Sequence, residues 1–303
     1  MIWILRKHLI MNNIKKLNSI FNKSNKLFIN NNTKIVIMSD LHRGKKDKYD
    51  NFSKNENIFL YALDYYYKKG FIYIELGDGD DLWEVKKCTD IVKSNIDSFR
   101  VLKKLYDAGR FIMIYGNHDI VKSFKRVFNS CFSNHYDEKK AEWETLLKGL
   151  IVYESLILKY NNNDIFLIHG HQVDYFNSTI WKITRFLVRS LWRWLEGIGI
   201  DDQTNSIKNY KVSKNTERIL ESWSIKNNKM LIAGHTHRPV FPKDNKSLYF
   251  NSGSGVHPNG ITSIEIYNGF ISLIKWEYKI NRGELFLVNR KVLEKEKICK
   301  FYE

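Results

Sequence analysis

The chain has 303 residues, 43% of them hydrophobic and 27% charged, which is ordinary for a globular protein and allows a substantial core. No apolar run is long and uncharged enough to cross a bilayer, which argues against a membrane-spanning protein. The formal net charge of +16 is unusual and favours anionic partners such as nucleotides, phospholipid headgroups or nucleic acid.

Cysteine usage and the N-terminus bear on the compartment. The three cysteines, Cys88, Cys131 and Cys299, are odd in number and widely spaced, which argues against a disulfide framework and for a reducing compartment. Charged residues interrupt the apolar residues at positions 1–9, so we expect no signal peptide. These features predict a cytoplasmic protein, with membrane association left open by the segment 181–195.

The first predicted elements are a lead-in, a strand and a helix. Residues 1–33, rich in Asn and Lys, are expected to form a mobile lead-in or a weak helix. An apolar strand follows, and then a helix whose start is marked by the capping-box spacing of Ser53 and Glu56 and whose end is marked by Gly70. A longer helix is predicted over 89–108, between two further strands. This alternation of strands and helices favours an α/β layered fold.

The later part of the chain divides into a domain, an insertion and a tail. We expect one domain over residues 34–280, interrupted at 172–229 by a helical cap. Short β-like segments follow, with a hairpin turn at Asn268–Gly269. The charged tail, residues 281–303, is predicted to be helical.

Polar side chains follow five apolar runs, each of which is typical of a buried strand. These side chains are Asp, Asn and His, the residue types that ligate divalent metals. The runs and the residues after them are 35–38 with Asp40 and His42, 71–74 with Asp78, 111–114 with Asn117, His118 and Asp119, 165–168 with His169 and His171, and 230–233 with His235 and His237. Each fragment is weak by itself, because short motifs match by chance, but five in order after five strands make chance a poor explanation.

The five fragments resemble the motifs of the calcineurin-like metallophosphoesterases. In one-letter code they are D-L-H at 40–42, G-D-G-D-D at 77–81, G-N-H-D at 116–119, H-G-H at 169–171 and G-H-T-H at 234–237. The resemblance implies a four-layered α/β/β/α sandwich with a helical cap insertion. It also implies two metal ions at the carboxyl ends of the strands, where α/β sheets generally bind ligands.

The resemblance further implies a set of metal ligands. One ion would be held by Asp40, His42, Asp78 and His237, and the other by Asp78, Asn117, His169 and His235. Asp78 would bridge the two ions, because each of its carboxylate oxygens can bind one cation. The mixed oxygen and imidazole donors suit Mn²⁺, which is our first choice, or Fe or Zn. His171, the second histidine of H-G-H, is expected to face the substrate or to support a ligand.

The same motifs indicate the residues of catalysis. Two cations together activate water for in-line attack on phosphorus, without a covalent enzyme intermediate. His118 resembles the family's catalytic histidine, which stabilises the transition state or protonates the leaving oxygen. Asp119 is expected either to orient the His118 imidazole or to be a plain helix N-cap. Asp81 is expected to support the site from behind the ligands.

The identity of the substrate depends on the cap. Within it, residues 181–195 form an amphipathic pattern with Lys182, Arg185, Arg189 and Arg193 on one helical face. This helix would pack as a solvated cap, bind anionic lipid at a membrane surface, or place Arg185 and Arg189 on a diphosphate or nucleotide substrate. The sequence does not separate these three hypotheses.

The basic, aromatic insertion also resembles that of the UDP-diacylglucosamine pyrophosphohydrolases, although these enzymes carry Arg at the position of His118. We therefore expect hydrolysis of a phosphodiester or pyrophosphate bond in a nucleotide- or lipid-linked substrate. The alternatives are a phosphomonoesterase or protein phosphatase, a nuclease, and a metal-dependent binding scaffold, which would need a damaged metal set. Nucleic acid is the less favoured partner, and the charge does not decide the matter because a basic surface suits lipid equally well.

Overall fold

The computed structural model describes residues 2–48, 50–138, 140–178, 203–243, 247–258, 260–280 and 286–302. Its helices are α1 (Ile2–Lys23), α2 (Glu56–Lys68), α3 (Cys88–Ser94), α4 (Ile96–Asp107), α5 (Lys125–Phe132), α6 (Tyr175–Ser178) and α7 (Gln203–Asn227). Its strands are β1 (Asn25–Ile29), β2 (Ile35–Met38), β3 (Ile72–Leu76), β4 (Phe111–Ile114), β5 (Asn134–Asp137), β6 (Glu142–Thr145), β7 (Val152–Tyr153), β8 (Ser155–Tyr160), β9 (Asn163–Ile168), β10 (Met230–Ala233), β11 (Tyr249–Asn251), β12 (Ile261–Tyr267), β13 (Phe270–Ile280) and β14 (Phe286–Lys297). Short 3-10 segments cover Phe52–Lys54, Ile120–Ser123, His171–Val173 and Ile298–Tyr302.

The strands form two large sheets and one hairpin, β5–β6. One sheet has seven strands in the order β14-β13-β12-β2-β3-β4-β7, and the other has five in the order β1-β8-β9-β10-β11. Strands β2, β3, β4 and β7 are parallel to one another, as are β9, β10 and β11 in the other sheet. The predicted α/β class is confirmed. Parallel neighbours end at the same edge, so the carboxyl ends of β2, β3 and β4 form one row and those of β9 and β10 another.

Side chains on alternate faces of the strands enter different apolar clusters, as the two-residue period of a strand requires. In β3, Tyr73 packs in a cluster with α2 and α4, whereas Ile74 packs in a cluster that joins the two sheets. In β9, Leu167 enters the cluster between the sheets, whereas Phe166 packs with α1 and α7. Each of these strands therefore contributes side chains to the cluster between the sheets and to a cluster with helices, while the four-layered sandwich stays a prediction.

Of the two expectations for the N-terminal residues, a mobile lead-in or a weak helix, the structure shows a helix, and that helix packs on the core. Ile14 and Leu17 of α1 are buried on the five-stranded sheet beside Trp223 of α7. The indole Nε1 of Trp223 donates to Asn18 Oδ1 over 2.7 Å, and β1 extends the same sheet by pairing parallel to β8. The prediction rested on the Asn and Lys content of residues 1–33, which conceals the apolar face of α1.

The C-terminal residues form a strand, so the prediction of a helical tail is wrong. β14 pairs antiparallel to β13, and its register spans all of β13 from Phe270 to Ile280. Lys and Glu favour helix, but helix propensity is weak compared with the backbone pairing that covers the edge of β13. Ile298 and Phe301, which follow β14, are buried in the cluster between the sheets.

Two predicted helix features also differ. The Ser53 hydroxyl donates to the backbone carbonyl of Asp50 over 2.6 Å, and α2 begins at Glu56 without a side-chain cap, so the predicted capping box does not form. The helix predicted over 89–108 is two helices, α3 and α4, separated at Asn95. The Asn95 amide donates to a backbone carbonyl in the loop after β2, which ties this break to the site-bearing end of the sheet.

The cysteines correct another expectation. Cys88, at the start of α3, and Cys131, in α5, form a disulfide across a sequence separation of 43 residues. Such a long separation gives no local signal, because the pairing depends on how α3 and α5 pack in the folded chain. Cys299 is a free, exposed thiol.

The predicted cap, 172–229, is described only in part. The segment 181–195, with Arg185 and Arg189, lies outside the described residues. The second half of α7 belongs to the core, since Leu220 is fully buried against the five-stranded sheet. None of the helices in the described part of the chain is long and apolar enough to cross a membrane.

The packing of α1 predicts that the N-terminal helix is needed for stability. Leu17→Ala removes a side chain with no exposed area and is expected to lower the free energy of unfolding by about 2–5 kcal/mol, because a cavity remains in a packed core. Urea denaturation measures the change. Lys15→Ala, on the exposed face of the same helix, is the control and is expected to change stability by about 0.5 kcal/mol at most. Equal stability of the two variants would show that α1 is not part of the core.

Candidate metal centre

The seven predicted metal ligands come from the carboxyl ends of five strands in both sheets. They are Asp40 and His42 after β2, Asp78 after β3, Asn117 after β4, His169 after β9, and His235 and His237 after β10. Backbone hydrogen bonds join the loops after β2 and β3, since the N–H of Asp40 donates to Gly77 and that of His42 donates to Asp78. A bond of 2.9 Å from the His235 N–H to Asp40 Oδ2 joins the loops of the two sheets.

Backbone strain is concentrated at this centre. Five of the predicted ligands have positive φ angles: Asp40 at 54°, His42 at 51°, Asp78 at 51°, His235 at 68° and His237 at 58°. Non-glycine residues seldom adopt the left-handed region, and they do so mainly where surrounding contacts and function require it.

The first ligand group contains Asp40, His42 and His237. One ligand atom from each residue lies within 4.8 Å of the others. His237 Nε2 is 3.3 Å from Asp40 Oδ1 and 3.2 Å from His42 Nε2. His42 Nε2 is also 3.9 Å from Asp78 Oδ2, which places the bridging carboxylate beside this group.

The second ligand group contains Asp78, His169 and His235, again with one ligand atom each within 4.8 Å. His169 Nε2 lies 3.2 Å from Asp78 Oδ2. Asp78 is therefore adjacent to both groups, as its predicted bridging role requires. The position of the Asp78 carboxylate depends on a glycine at position 116, because a Cβ added to Gly116 would lie 2.1 Å from Asp78 Oδ1. Asn117 follows that glycine and lines the same cavity as Asp78 and His235.

The polar atoms of the centre fit two divalent cations. Asp40 Oδ1, Asn117 Oδ1 and His169 Nε2 are buried and make no hydrogen bond, whereas buried polar atoms ordinarily have a partner. Leu76 O accepts a hydrogen bond of 2.8 Å from His169 Nδ1, which leaves the Nε2 lone pair available for a metal. Oxygen and imidazole donors without thiolate suit Mn, Fe or Zn.

Serines behind Asp40 hold its carboxylate and backbone. Ser39 Oγ donates to Asp40 Oδ2 over 2.5 Å and is itself 2.7 Å from Ser252 Oγ. Ser254 Oγ donates to the backbone carbonyl of Asp40 over 3.0 Å. Asn251, in the same stretch, donates from its amide to Gly234 O over 2.7 Å and so supports the loop that bears His235. The stretch 251–254 therefore supports ligands from both sheets.

His118 lies between the bridging carboxylate and Asp81. The His118 N–H donates to Asp78 Oδ1 over 2.8 Å, and His118 Nδ1 lies 3.0 Å from Asp81 Oδ1. Burial alone lowers the pKa of His118, but Asp81 and Asp78 together outweigh burial and raise it to about 9. Burial alone raises the pKa of Asp81, but the adjacent His118 outweighs the effect of burial and lowers the pKa of this carboxyl to about 2. These opposite pKa shifts favour an imidazolium–carboxylate pair.

Asp119 does not contact the His118 ring; it is the N-cap residue of the 3-10 segment Ile120–Ser123, without a side-chain cap hydrogen bond. Its carboxylate accepts the backbone N–H groups of Gly116 over 2.7 Å and Gly79 over 3.0 Å, and the ammonium of Lys122 over 2.8 Å. Asp119 thereby joins the loops after β3 and β4. Asp81, predicted to be only a supporting residue, occupies the orienting position.

A network of buried charged side chains lies beneath the centre, and the sequence did not predict it. It contains two cations, Arg43 and Lys122, and three carboxylates, Glu75, Asp80 and Asp119, all without exposed side-chain area. Arg43 donates to both oxygens of Glu75 over 2.8 Å and to Asp80 over 2.6 Å, and Lys122 bonds the other oxygen of Asp80 over 2.6 Å. A glutamate within the apolar strand β3 was the available signal.

His171 and Asp174 also have unexpected positions. His171 is 2% exposed and lies outside both ligand groups and outside the two cavities that the described residues line, so its expected role, to face the substrate or to support a ligand, stays a prediction. Burial lowers its pKa. Asp174, in the segment assigned to the cap, has Oδ2 3.5 Å from His235 Nε2 and supports that ligand. No motif marks Asp174 in the sequence.

Two cavities open beside the ligand groups. One, of about 260 Å³, is lined by His42, Asp81, His118 and His237 together with residues of the loop after β2. The other has a volume of about 370 Å³, and the residues that line it are Asp78, Asn117, His118, Asp174, Asn177, Ser213, His235, Thr236 and His237. His118 and His237 border both cavities, so the centre lies between them.

The family model of the calcineurin-like phosphoesterase superfamily domain matches residues 33–266. The chain belongs to this superfamily. The match covers the superfamily as a whole, so the likeness to the UDP-diacylglucosamine branch stays a prediction. Comparison with curated proteins finds no match to this calcineurin-like phosphoesterase.

Several solved structures are similar to this calcineurin-like phosphoesterase. One is a single mutant of Vps29 from Entamoeba histolytica, which is 14% identical in sequence and has a TM-score of 0.39. The match covers 86% of this chain and 100% of that chain. Vps29 from Chaetomium thermophilum has 10% identity, with 88% and 98% covered and a TM-score of 0.41. A cold-active protein-tyrosine phosphatase of a psychrophilic Shewanella species has 14% identity, with 88% and 82% covered and a TM-score of 0.41. Likenesses of this size do not indicate a substrate.

The buried network predicts a large stability effect at Lys122. Lys122→Met leaves three buried carboxylates with one cation and is expected to lower the free energy of unfolding by about 3–5 kcal/mol. Urea denaturation with and without Mn²⁺ measures the loss. Lys125→Met, at an exposed position of α5, is the matched control and should be near wild type. A variant of Lys122 as stable as this control would mean that the network is not paired as described.

Proposed function

We propose that this calcineurin-like phosphoesterase is a dinuclear-metal hydrolase that cleaves a phosphodiester or pyrophosphate bond in a nucleotide- or lipid-linked substrate. The observation that supports it best is the pair of ligand groups that meet at Asp78, with buried donor atoms that lack hydrogen bonds. When bound, two divalent cations supply Lewis acidity that activates water and polarises the phosphoryl oxygens. Mn²⁺ is our first choice, with Fe or Zn as alternatives.

The chain's own residues hold the cations and exclude water from behind them. Asp40, His42 and His237 would hold one ion, Asn117, His169 and His235 the other, and Asp78 both. Asp40, Asp78, Asn117 and His169 are almost fully buried, so their side chains keep fixed positions. Preorganised donors stabilise a transition state without reorganisation during the reaction.

His118 is the residue that we assign to proton transfer. Its Nδ1 is held by Asp81, so Nε2, on the opposite side of the ring, is free to hold a proton toward the cavities that His118 borders. A general acid at this place protonates the leaving oxygen as the bond to phosphorus breaks. Its raised pKa keeps this proton on the imidazole at neutral pH.

The two cavities support a substrate with two substituents on phosphorus. A monoester has one organic substituent and would leave one cavity to solvent, whereas a diester or pyrophosphate extends into both. The net charge of +16 favours an anionic substrate of this kind. Substrate contacts by Arg185 and Arg189, and membrane contact by the segment 181–195, are parts of the proposal that rest on sequence alone.

The role of His118 predicts a separation of catalysis from metal binding. His118→Ala is expected to lower kcat by about 10²–10⁴-fold, the usual contribution of a general acid, with the metal content unchanged. Steady-state kinetics and metal analysis of the purified protein measure the two effects. Near-normal turnover would remove His118 from the mechanism, and loss of metal would make it a ligand, since it also lies within 4.8 Å of His42 and Asp78.

Asp78→Ala is the contrasting variant. Removal of the shared carboxylate is expected to abolish turnover and to reduce the bound metal, because both ligand groups lose a member. An Asp78→Ala protein that hydrolyses phosphate esters as well as wild type would show that the proposed dinuclear site does not exist.

Substrate preference separates the proposed reaction from its alternatives. With Mn²⁺ added, we expect a higher kcat/KM for bis-p-nitrophenyl phosphate than for p-nitrophenyl phosphate, because only the diester occupies both cavities. The opposite preference would favour a phosphomonoesterase. A panel of UDP-sugar lipids and oligonucleotides then tests the natural class, and cleavage of DNA or RNA alone would favour a nuclease.

A further inference from the structure

A buried tryptophan lies against the imidazole assigned to proton transfer. Trp83 is 3% exposed, and its ring stacks on that of His118 with centroids 4.4 Å apart and an interplanar angle of 19°. Trp223 and Trp276, the other fully buried tryptophans of the described residues, each belong to an apolar cluster, whereas Trp83 belongs to none of the three. The ring of Trp83 therefore lies against a residue of the site.

The backbone around Trp83 ties it to the same support as His118. Asp81 Oδ1, which lies 3.0 Å from His118 Nδ1, also accepts the backbone N–H groups of Trp83 over 3.2 Å and Glu84 over 3.1 Å. This turn begins three residues after Asp78, whose Oδ1 accepts the His118 N–H. A single short segment thus contacts the backbone, the Nδ1 atom and the ring face of His118.

These contacts restrict different motions of the imidazole. The hydrogen bond to Asp81 fixes the position of Nδ1 but allows the ring plane to tilt about the line that joins the two atoms. The Trp83 face opposes that tilt on one side, and His42 meets the ring edge-on at 4.6 Å and 87°. Proton transfer depends on the direction of Nε2, and small misplacements of a catalytic group lower the rate substantially.

We propose that Trp83 is a positioning residue that fixes the ring plane of His118, so that Nε2 points at the leaving-group oxygen. The inference rests on the proposed phosphoesterase function and adds a residue outside the metal ligands. Trp83 does not line either cavity, so it acts through His118 and not through substrate contact.

The test compares Trp83→Met, which fills the space without a flat face, with Trp83→Phe, which keeps an aromatic face. Diphenyl phosphate and bis-p-nitrophenyl phosphate are the substrates, because phenolate needs protonation on departure more than p-nitrophenolate does. For Trp83→Met we expect kcat to fall on the order of tenfold or more with diphenyl phosphate, less with bis-p-nitrophenyl phosphate, and KM to stay unchanged. Trp83→Phe is expected to recover most of the loss.

A double-mutant cycle shows whether the effect passes through His118. In a His118→Ala background, Trp83→Met is expected to have no further effect on kcat. Trp143→Leu, which changes a 72% exposed tryptophan, is the control. Metal content and thermal melting of every variant exclude a general loss of structure, and Trp83→Leu replaces the Met variant if the latter does not fold.

Several outcomes would overturn the inference. These are an equal loss for both substrates, a full additional loss in the His118→Ala background, or unchanged kcat in an active, folded Trp83→Met protein. A wild-type protein that binds metal but cleaves neither diester would instead refute the proposed function, and the inference with it.

Discussion

The carboxylate of Asp78 is the point on which the rest of this structure depends, because it lies where the strand ends of two sheets meet. Its Oδ2 is within 4 Å of imidazoles from both sheets, those of His42 and His169. The position requires a left-handed backbone at Asp78 and the absence of a side chain at Gly116. Such strain persists only where surrounding contacts determine the conformation, and a shared carboxylate between two cations is a sufficient functional reason for it.

The support for this carboxylate is electrostatic as well as steric. Asp119 accepts the backbone N–H groups of Asp78 and Gly79 in the loop after β3 and of Gly116 in the loop after β4, and the ammonium of Lys122 compensates its charge. Arg43 extends the pairing to the β3 glutamate, Glu75. Buried charges are tolerated when each has a partner and its hydrogen bonds are satisfied, and loss of one partner is costly. The network therefore fixes the loops before any cation binds.

On the side of the centre that bears His118, two carboxylates hold different parts of that residue. Asp78 accepts the backbone N–H of His118, Asp81 holds its Nδ1, and Trp83 covers its face. The imidazole is left with one nitrogen directed toward the cavities. The two cavities beside the centre and the strongly basic chain are the basis of the proposed action on an anionic phosphodiester or pyrophosphate.

The sequence by itself predicted the α/β class and the convergence of the residues that form the candidate metal centre. Residues such as Asp40 and His235 directly follow short apolar runs, and the ends of parallel strands share an edge, so local spacing is enough to predict their convergence. Local spacing did not show whether Asp119 or Asp81 contacts His118, because each is the last residue of a motif and only the folded loops bring one of them to the imidazole.

Tertiary structure alone decided the features that join distant parts of the chain. β14 pairs with β13 against its helix propensity, Cys88 meets Cys131 across 43 residues, and α1 packs on α7 despite its Asn- and Lys-rich sequence. Trp83 and Lys122 have no motif that marks them. In each case the stabilising partner lies far away in sequence, so the contact depends on packing and register that no local pattern encodes.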